Sequence, residues 1–395
     1  MIVLLASETF QHLPIHFSGK SEKFNSSKST LNDAGINTVY IWDLTTGQLK
    51  RSLNFSQAYV MSIAAFENGI IAVGYTQYVL FWNYLTGHVK QTYEDTYGYV
   101  INLGAQRIAV NAIYNGTVNV YNVTSGEKMY SFNEAKEGDD LFFWSYPVMS
   151  LSNNRLLVVY GHWIENMPQS KSLVIYELEK GVKKFSLNFL TDAVTSIVEI
   201  KTLGLVAFET NGYALPGNYI AKVLILDLDA GEIAYTFDSS YLLYSLERER
   251  LLVVQDSLDF SLNFVDTANG FVKFSLTGHT SKVNAMVKLG GGSLCASTEI
   301  NSNQILIWNI TTDGGSLVFT LNENYSDVLY TLRSLDNNLL AVGLDTEIRI
   351  WNMTNGQIQY TLDQFEPDTL LLNEILTKLE DNYLATSSEY NIFVD

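Results

Sequence analysis

The sequence is short of cysteine, of basic residues and of long apolar runs, and each shortage excludes a class of protein. Cys295 is the only cysteine among 395 residues, so no internal disulfide or cysteine-based zinc site is possible, which suits a reducing compartment. Lysine and arginine total 24 against 42 acidic residues, a formal charge of −18, and no basic stripe typical of nucleic-acid binding is visible. No apolar run reaches the roughly eighteen residues that a membrane span needs.

Signals for secretion and catalysis are missing as well. The first residues, Met1 to Glu8, lack a basic region, and their apolar run is too short for a signal peptide, which favours a cytoplasmic protein. No G-x-S-x-G motif, phosphate-binding loop or His/Asp/Glu cluster is present, so we expect no catalysis and no metal or other cofactor. Seven N-x-S/T motifs leave an extracellular location open, although asparagine-rich turns also produce them by chance; they begin at Asn25, Asn54, Asn115, Asn122, Asn309, Asn324 and Asn352.

What the sequence does contain is a repeat of about forty residues. Four short apolar segments, separated by Gly, Asn, Asp and Ser, occupy Gly278 to Leu321, and the rest of the chain repeats this unit. Four strands per unit predict the blades of a β-propeller, so residues 1–395 are expected to form one all-β domain. The third segment of each unit contains an anchor residue, at Trp42, Trp82, Tyr121, Tyr176, Leu226, Val265, Trp308, Trp351 and, weakly, Val394.

The anchors predict the number of blades and the role of each strand. Eight intervals between them indicate about eight four-stranded antiparallel blades, with seven or nine left open. Seven units have a glycine five positions after the anchor, where a tight turn between strands three and four needs a positive φ. Strand four alternates apolar and hydroxyl residues, which is typical of an outer strand, whereas strand two is a continuous apolar run typical of a buried one.

Both ends of the chain contain fragments of the same unit. The N-terminal part offers a strand two, Val3 to Ser7, followed by strands three and four that end at Leu53. The C-terminal part, Leu370 to Val394, offers strands one, two and three. We expect the ring to close by pairing N-terminal with C-terminal strands, because closure removes exposed sheet edges. Two copies of strands two and three then compete for one place, and the sequence leaves the outcome open.

The best-formed unit resembles the WD40-repeat family. Gly278-His279 and Trp308-Asn309 resemble that family's Gly-His and Trp-Asp signatures, and the other units match less closely. The resemblance implies a non-catalytic scaffold that binds a protein or peptide on one rim of the propeller.

The resemblance also implies a buried structural network of hydrogen bonds. In this family it joins a His before strand one, a Ser or Thr in strand two, an Asp in the next turn and the anchor Trp. Asn301, Ser302 and Asn303 stand where the turn aspartate is expected. The matching residues are His279, Ser297 and Trp308, with Asp345 and Trp351 in the following unit.

Four insertions in the repeat form the candidate partner site. They span Glu8 to Asn37, Asn133 to Leu141, Gly161 to Lys171 and Glu209 to Ala221. Each follows strand two or strand four, so all four are expected on the same rim. Aromatic side chains on loops of a rigid scaffold suit binding, while folding down against the body is the alternative. The candidate contacts are Trp163, Met167, Tyr213, Leu215 and Tyr219, with Glu137, Asp139 and Asp140 as acidic neighbours.

The excess of acid favours a basic partner or simply keeps the protein soluble. We expect a monomer that binds neither nucleic acid nor membrane. Two alternatives stay open. Eight-bladed quinone-dependent dehydrogenases have repeats that end like Asp227 to Glu232, although this chain lacks the tryptophan-rich blade contacts and vicinal cysteines of that family. The second alternative is that the chain is the propeller module of a larger protein.

Overall fold

A computed structural model describes residues 36–56, 60–75, 78–94, 99–112, 116–134, 143–164, 167–188, 192–214, 218–238, 240–246, 250–290, 292–299, 302, 304–322, 331–344, 347–363, 376–379 and 383–388. These residues form 32 strands and one short 3-10 helix, Lys201–Leu203. The strands make eight separate four-stranded antiparallel sheets, the blades of a propeller. The expectation of an all-β protein with eight four-stranded blades is therefore confirmed.

Blades 2 to 8 are each continuous in the sequence, whereas blade 1 combines strands from the two ends of the chain. The first strands, β1 (Ile36–Asp43) and β2 (Gln48–Ser56), belong to blade 1. Blade 2 comprises β3 (Val60–Ala65), β4 (Ile70–Tyr75), β5 (Tyr78–Asn83) and β6 (His88–Glu94). Blade 3 comprises β7 (Val100–Gly104), β8 (Arg107–Ala112), β9 (Thr117–Asn122) and β10 (Lys128–Phe132). Blade 4 comprises β11 (Phe143–Leu151), β12 (Arg155–Ile164), β13 (Met167–Glu177) and β14 (Val182–Asn188).

The second half of the chain continues the pattern. Blade 5 comprises β15 (Asp192–Ile200), β16 (Leu205–Ala214), β17 (Asn218–Asp227) and β18 (Ile233–Asp238). Blade 6 comprises β19 (Ser240–Leu246), β20 (Leu251–Asp256), β21 (Leu262–Asp266) and β22 (Val272–Leu276). Blade 7 comprises β23 (Val283–Lys288), β24 (Leu294–Glu299), β25 (Gln304–Thr311) and β26 (Gly314–Asn322). Blade 8 comprises β27 (Thr331–Ser334), β28 (Leu339–Gly343), β29 (Ile348–Asn352) and β30 (Gln357–Leu362).

Two strands from each end complete blade 1. The last strands, β31 (Leu376–Lys378) and β32 (Tyr383–Ser388), join β1 and β2 in the order β2-β1-β32-β31. The N-terminal copy of strand three and the C-terminal copy of strand two therefore take the contested places. Within the described residues the C-terminal part supplies two strands, β31 and β32. The third C-terminal strand expected at Val394 and the N-terminal strand two expected at Val3 to Ser7 lie outside those residues.

Among the described residues the core consists of eight apolar clusters, and each is shared by two neighbouring blades. One cluster joins blade 8 to blade 1 through Leu335, Ile350 and Trp42, and another joins blade 1 to blade 2 through Ile41 and Trp82. The ring is closed, because every neighbouring pair of blades has its own cluster. Strand two is buried throughout in β28 and almost throughout in β20, as its continuous apolar sequence predicts.

The antiparallel order gives the propeller two different rims. The turns between strands one and two and between strands three and four make one rim, which we call the turn rim. The connections between strands two and three, with the far ends of strand four, make the other, which we call the hairpin rim. Neighbouring blades run the same way, since the N–H of Ser152 in the turn after β11 donates to Glu199 at the end of β15, 2.7 Å away.

A contact between neighbouring blades recurs at the turn rim. The aromatic ring on strand four of one blade lies against the turn glycine of the next, and a tyrosine there also donates to a turn carbonyl. Tyr235 donates to the carbonyl of Ala268 at 3.1 Å, and a Cβ on Gly270 would lie 2.5 Å from its ring. The glycines that the sequence marks for positive φ do adopt it, with φ of 74° at Gly270 and 67° at Gly356.

Candidate functional site

The best-formed unit contains a chain of buried hydrogen bonds in blade 7. Trp308 Nε1 donates to Ser297 Oγ at 2.7 Å, and Ser297 Oγ lies 2.8 Å from His279 Nε2. Ser297 is completely buried and His279 nearly so. The neutral ring with its proton on Nδ1 fits this chain, because Ser297 then accepts from the tryptophan and donates to Nε2. The three residues that the WD40 resemblance selects thus lie together.

An acidic residue that the sequence analysis missed completes this arrangement. Glu299 Oε2 lies 3.5 Å from His279 Nδ1, and it accepts the backbone N–H groups of Thr280 at 2.7 Å and Ser281 at 2.9 Å. Glu299 thus supplies the acidic group expected from the turn residues 301–303. The available signal was an acidic residue two positions after Ser297, whereas the family pattern places the acid in the turn.

Burial controls the protonation of this pair. It lowers the pKa of His279, and the Glu299 carboxylate only partly opposes this effect. Burial raises the pKa of Glu299, but the N–H donors of Thr280 and Ser281 outweigh it, and the pKa falls below its ordinary value. The neutral His279 and the charged Glu299 are both engaged by groups of blade 7 and of the segment before it, which fits a structural arrangement.

Equivalent positions in other blades keep only part of the network. In blade 1, Trp42 Nε1 donates to Thr386 Oγ1 at 3.2 Å, so the same bond ties β1 to β32. In blade 2 the residue at the hydroxyl position is Val73, and Trp82 Nε1 has no hydrogen-bond partner among the described residues. Trp351 lies in the core between blades 7 and 8, while Asp345 lies outside the described residues.

Blade 4 has a different polar network at the anchor position. Tyr176 Oη donates to Glu134 Oε1 at 3.0 Å and lies 3.1 Å from Tyr160 Oη. Lys183 Nζ lies 2.9 Å from Glu134 Oε2, which balances the carboxylate. Burial raises the pKa of Tyr176 and of Tyr160, so the hydrogen-bonded tyrosine pair stays neutral. None of these roles follows from the WD40 pattern, because the network joins residues from two blades.

Two of the expected insertions are strands, which corrects the prediction of loops. In blade 4, β12 and β13 pair from Gly161↔Ser170 to Ile164↔Met167, beyond the point where strand four stops at Ser172↔Asn188. In blade 5, β16 and β17 pair from Asn211↔Ala221 to Ala214↔Asn218, beyond the last pair with β18 at Lys222↔Asp238. Four extra residues per strand lengthen each blade by about 13 Å.

The two extended hairpins belong to neighbouring blades and share the hairpin rim. Trp163 and Met167 lie in the last paired positions of the blade 4 hairpin, and Tyr213 pairs with Tyr219 in the blade 5 hairpin. Glu209, the first residue of the fourth predicted insertion, is buried below the blade 5 hairpin, where it accepts the N–H of Leu242 of blade 6 at 2.9 Å. The other candidate residues, Leu215, Glu137, Asp139 and Asp140, lie outside the described residues.

Comparisons with known proteins match the architecture and not a family. No protein-family model matches the chain, and no curated protein matches it either. A chain in the crystal structure of the mitotic checkpoint complex is similar, with a TM-score of 0.53 and 15% identity over 85% of this chain and 98% of that one. BamB from Moraxella catarrhalis gives a TM-score of 0.53 and 10% identity over 86% of this chain and 88% of that one.

These likenesses show the fold. At such identities they carry no residue roles from one protein to the other, and WD40 membership stays an expectation from the motifs of blade 7. Within the described part of the chain, no helix is long and apolar enough to cross a membrane. In the same residues, no three His, Cys, Asp or Glu side chains converge to hold a metal ion.

Proposed function

We propose that this protein is a non-catalytic propeller scaffold that binds a protein or peptide partner on the hairpin rim over blades 4 and 5. The observation that carries the proposal is the pair of neighbouring extended hairpins, 161–171 and 211–221, which lengthen these two blades on the same rim. Binding residues concentrate where a rigid scaffold holds exposed segments. A strand pair holds such residues more firmly than a loop does, which lowers the entropic cost of binding.

Support for a macromolecular partner comes from three further features. Trp163, Tyr213 and Tyr219 are of the residue types that contribute most to protein interfaces. The chemistry found in blade 7 is structural, with a buried histidine bonded to Ser297. One of the solved structures with this fold belongs to a protein complex. The absence of catalysis and of a cofactor is part of the proposal, and stoichiometric metal or a cofactor absorbance band in the purified protein would contradict it.

The register of the two hairpins allows a direct test. Tyr160 pairs with Ser172, and Thr210 pairs with Lys222, so each hairpin can be replaced by a two-residue Asn-Gly turn that leaves the body of the blade intact. Affinity capture with mass spectrometry would identify the partner of the unmodified protein. We expect the doubly shortened variant to lose this partner while its thermal melting stays close to that of the unmodified protein.

Point variants refine the same test. Trp163→Ala combined with Tyr213→Ala should weaken the affinity for the captured partner by roughly tenfold or more, because truncating an interface aromatic typically costs about 2 kcal/mol of binding free energy. Phe271→Ser, which removes an exposed aromatic ring from the opposite rim, is the matched control and should bind as the unmodified protein does. A partner retained by the doubly shortened variant would place the binding surface elsewhere.

A further inference from the structure

A turn in blade 6 presents a large apolar side chain to solvent on the hairpin rim. This turn, residues 257–261, joins β20 to β21 and therefore lies beside the extended hairpin of blade 5. Leu258 within it is 82% exposed, more than any other large apolar side chain among the described residues. The next most exposed, Phe271 at 74%, follows the turn between strands three and four and so lies at the opposite rim.

The turn is held by side-chain hydrogen bonds that keep Leu258 facing outward. Asp256 Oδ1 accepts the N–H of Leu258 at 2.8 Å, and Asp259 Oδ1 accepts the N–H of Ser261 at 2.9 Å. Gln255 Nε2 donates to the carbonyl of Phe260 at 3.1 Å, and Phe260 itself adopts a φ of 58°. The exposed leucine is consequently presented by a fixed backbone, so little conformational entropy is lost when it is covered.

The charge around Leu258 is negative. Asp256 and Asp259 flank it, and the backbone N–H of Ser261 lowers the pKa of Asp259, which keeps that carboxyl ionised at neutral pH. Two lysines at the same rim, one on blade 5 and one just before blade 7, have other partners. Lys282 Nζ lies 4.1 Å from the ring centroid of Tyr241, and Lys222 Nζ lies 3.3 Å from Asp238 Oδ1.

Blade 6 is also continuous with the proposed binding surface. The buried Glu209 at the base of the blade 5 hairpin accepts the N–H of Leu242 in β19, which ties the two blades together at this rim. Resting on the proposed function, we propose that the blade 6 turn is a further contact of the partner site, and that it takes an apolar side chain flanked by lysine or arginine. The partner is thus a protein segment that is apolar at its centre and basic at its sides, which complements Leu258 between two carboxylates.

A random library of twelve-residue phage-displayed peptides, selected on the full-length protein, provides the probe. Synthetic copies of the selected peptides are then titrated against four proteins by fluorescence anisotropy. These are the unmodified protein, Leu258→Ser, the Asp256→Asn/Asp259→Asn double variant and the control Phe271→Ser. Asparagine keeps the oxygen that accepts the turn N–H groups and removes only the charge.

We expect the selected peptides to combine apolar residues with lysine or arginine. Leu258→Ser should weaken the affinity for these peptides by about tenfold, and Phe271→Ser should leave that affinity unchanged. The double Asn variant should bind more weakly at low salt and show a smaller loss of affinity as salt is raised. Selected peptides without basic residues, or affinities that Leu258→Ser does not change, would overturn the inference, and so would a selection that enriches no peptide.

Failure of this inference is distinguishable from failure of the proposed function. The variant with both extended hairpins shortened is titrated with the same peptides. Peptides that lose affinity for it, but keep full affinity for Leu258→Ser, support the hairpins and overturn the role of the blade 6 turn. Peptides that keep full affinity for the shortened variant and lose it with Leu258→Ser overturn the hairpins as the main binding surface.

Discussion

At the scale of single residues, His279 illustrates a side chain whose chemistry is used for folding. It is almost fully buried, and its ring nitrogens face Ser297 on one side and Glu299 on the other. A buried hydrogen-bonding group that loses its partner costs stability, so this network ties the segment before blade 7 to strands two and three of that blade. Removing the ring should weaken that connection without touching the hairpin rim over blades 4 and 5.

We therefore expect His279→Ala to lower the free energy of unfolding by roughly 1–3 kcal/mol. The effect should also depend on pH. Because the folded-state pKa of His279 lies below its ordinary value of 6.5, the unfolded chain takes up the proton first as the pH falls. The stability contributed by neutral His279 is full above that value and is lost as the pH falls toward the folded pKa.

Denaturant unfolding at several pH values between 7.5 and 5 would measure both effects. The unmodified protein should lose stability over this range more steeply than His279→Ala does, since the variant has no proton to gain at this position. Glu299, whose folded pKa is also lowered, contributes in a separate and more acidic window. Loss of partner binding in a variant of unchanged stability would contradict the structural role.

At the scale of the element, the turn glycines have two separate reasons to be glycine. Gly270 combines a positive φ with the ring of Tyr235, whereas Gly356 has a similar φ but no described atom within 4 Å of the place where a Cβ would stand. Gly356→Ala should cost about 1–2 kcal/mol for the left-handed backbone alone. Gly270→Ala should cost clearly more, because the new methyl group displaces the ring. Equal losses in thermal unfolding would show that the ring adapts freely.

The tryptophan–hydroxyl bond offers a matched pair of substitutions. Thr386→Val removes the acceptor for Trp42 Nε1 in a completely buried site, so a loss of roughly 1–3 kcal/mol is expected. Val73→Thr places a hydroxyl at the equivalent position of blade 2, where Trp82 Nε1 has no described partner. A hydrogen bond from Trp82 Nε1 to the new hydroxyl should offset the cost of burying that hydroxyl. The free energy of unfolding should therefore stay within about 1 kcal/mol of the unmodified protein's. A large destabilisation by Val73→Thr would show that the hydroxyl does not reach Trp82.

These elements also show where sequence reasoning succeeds and where it stops. The spacing from Trp42 to Trp351 and the glycines after the anchors predict the blades, since both depend on residues close together within one unit. The aromatic residues of strand four form only an alternating pattern in the sequence, because the turn glycine that four of them contact belongs to the next blade; these four are Tyr130, Phe185, Tyr235 and Tyr360. The sequence does not reveal the roles of Glu299 and Thr386. Glu299 lies a few positions before the turn where the family pattern places the acid, and Thr386 contacts Trp42 from the other end of the chain.

For the candidate site as well, the sequence predicts one part and leaves another undetermined. Strand direction places 161–171 and 209–221 on one rim from the sequence alone. The sequence does not distinguish an insertion that forms a loop from one that continues the strands, because the two outcomes differ in cross-strand pairing. Leu258 escaped notice since a single leucine between two aspartates has no pattern, and its exposure depends on the hydrogen bonds of the turn.

At the scale of the whole molecule, blade 1 joins the ends of the chain by pairing β1 with β32. Circular permutation tests what this pairing contributes. One permutant opens the chain at 57–59, between blades 1 and 2, and leaves no blade shared by the two new ends. A second opens at 76–77, between strands two and three of blade 2, and recreates a shared blade. Residue 395 is joined to residue 1 in both.

We expect both permutants to fold, and the first to unfold faster in denaturant than the second, because side-chain contacts between blades 1 and 2, and no strand pairing, hold its new ends together. The second should unfold at a rate close to that of the unmodified protein. Stopped-flow unfolding monitored by tryptophan fluorescence would measure the rates. Identical rates for all three chains would show that a blade shared between the ends adds nothing to kinetic stability.

The shared blade also has a consequence for synthesis on the ribosome. Trp42 and its hydrogen-bond partner Thr386 are 344 positions apart, so β1 has no neighbour on one side until β32 has emerged. Blades 2 to 8 can form in order as they leave the exit tunnel, while the edge of β1 that later pairs with β32 stays unpaired. Such distant pairing is slow, and open edges attract other chains. The nascent protein therefore has a long interval of vulnerability to aggregation, and molecular chaperones that cover strand edges should matter most for it during translation.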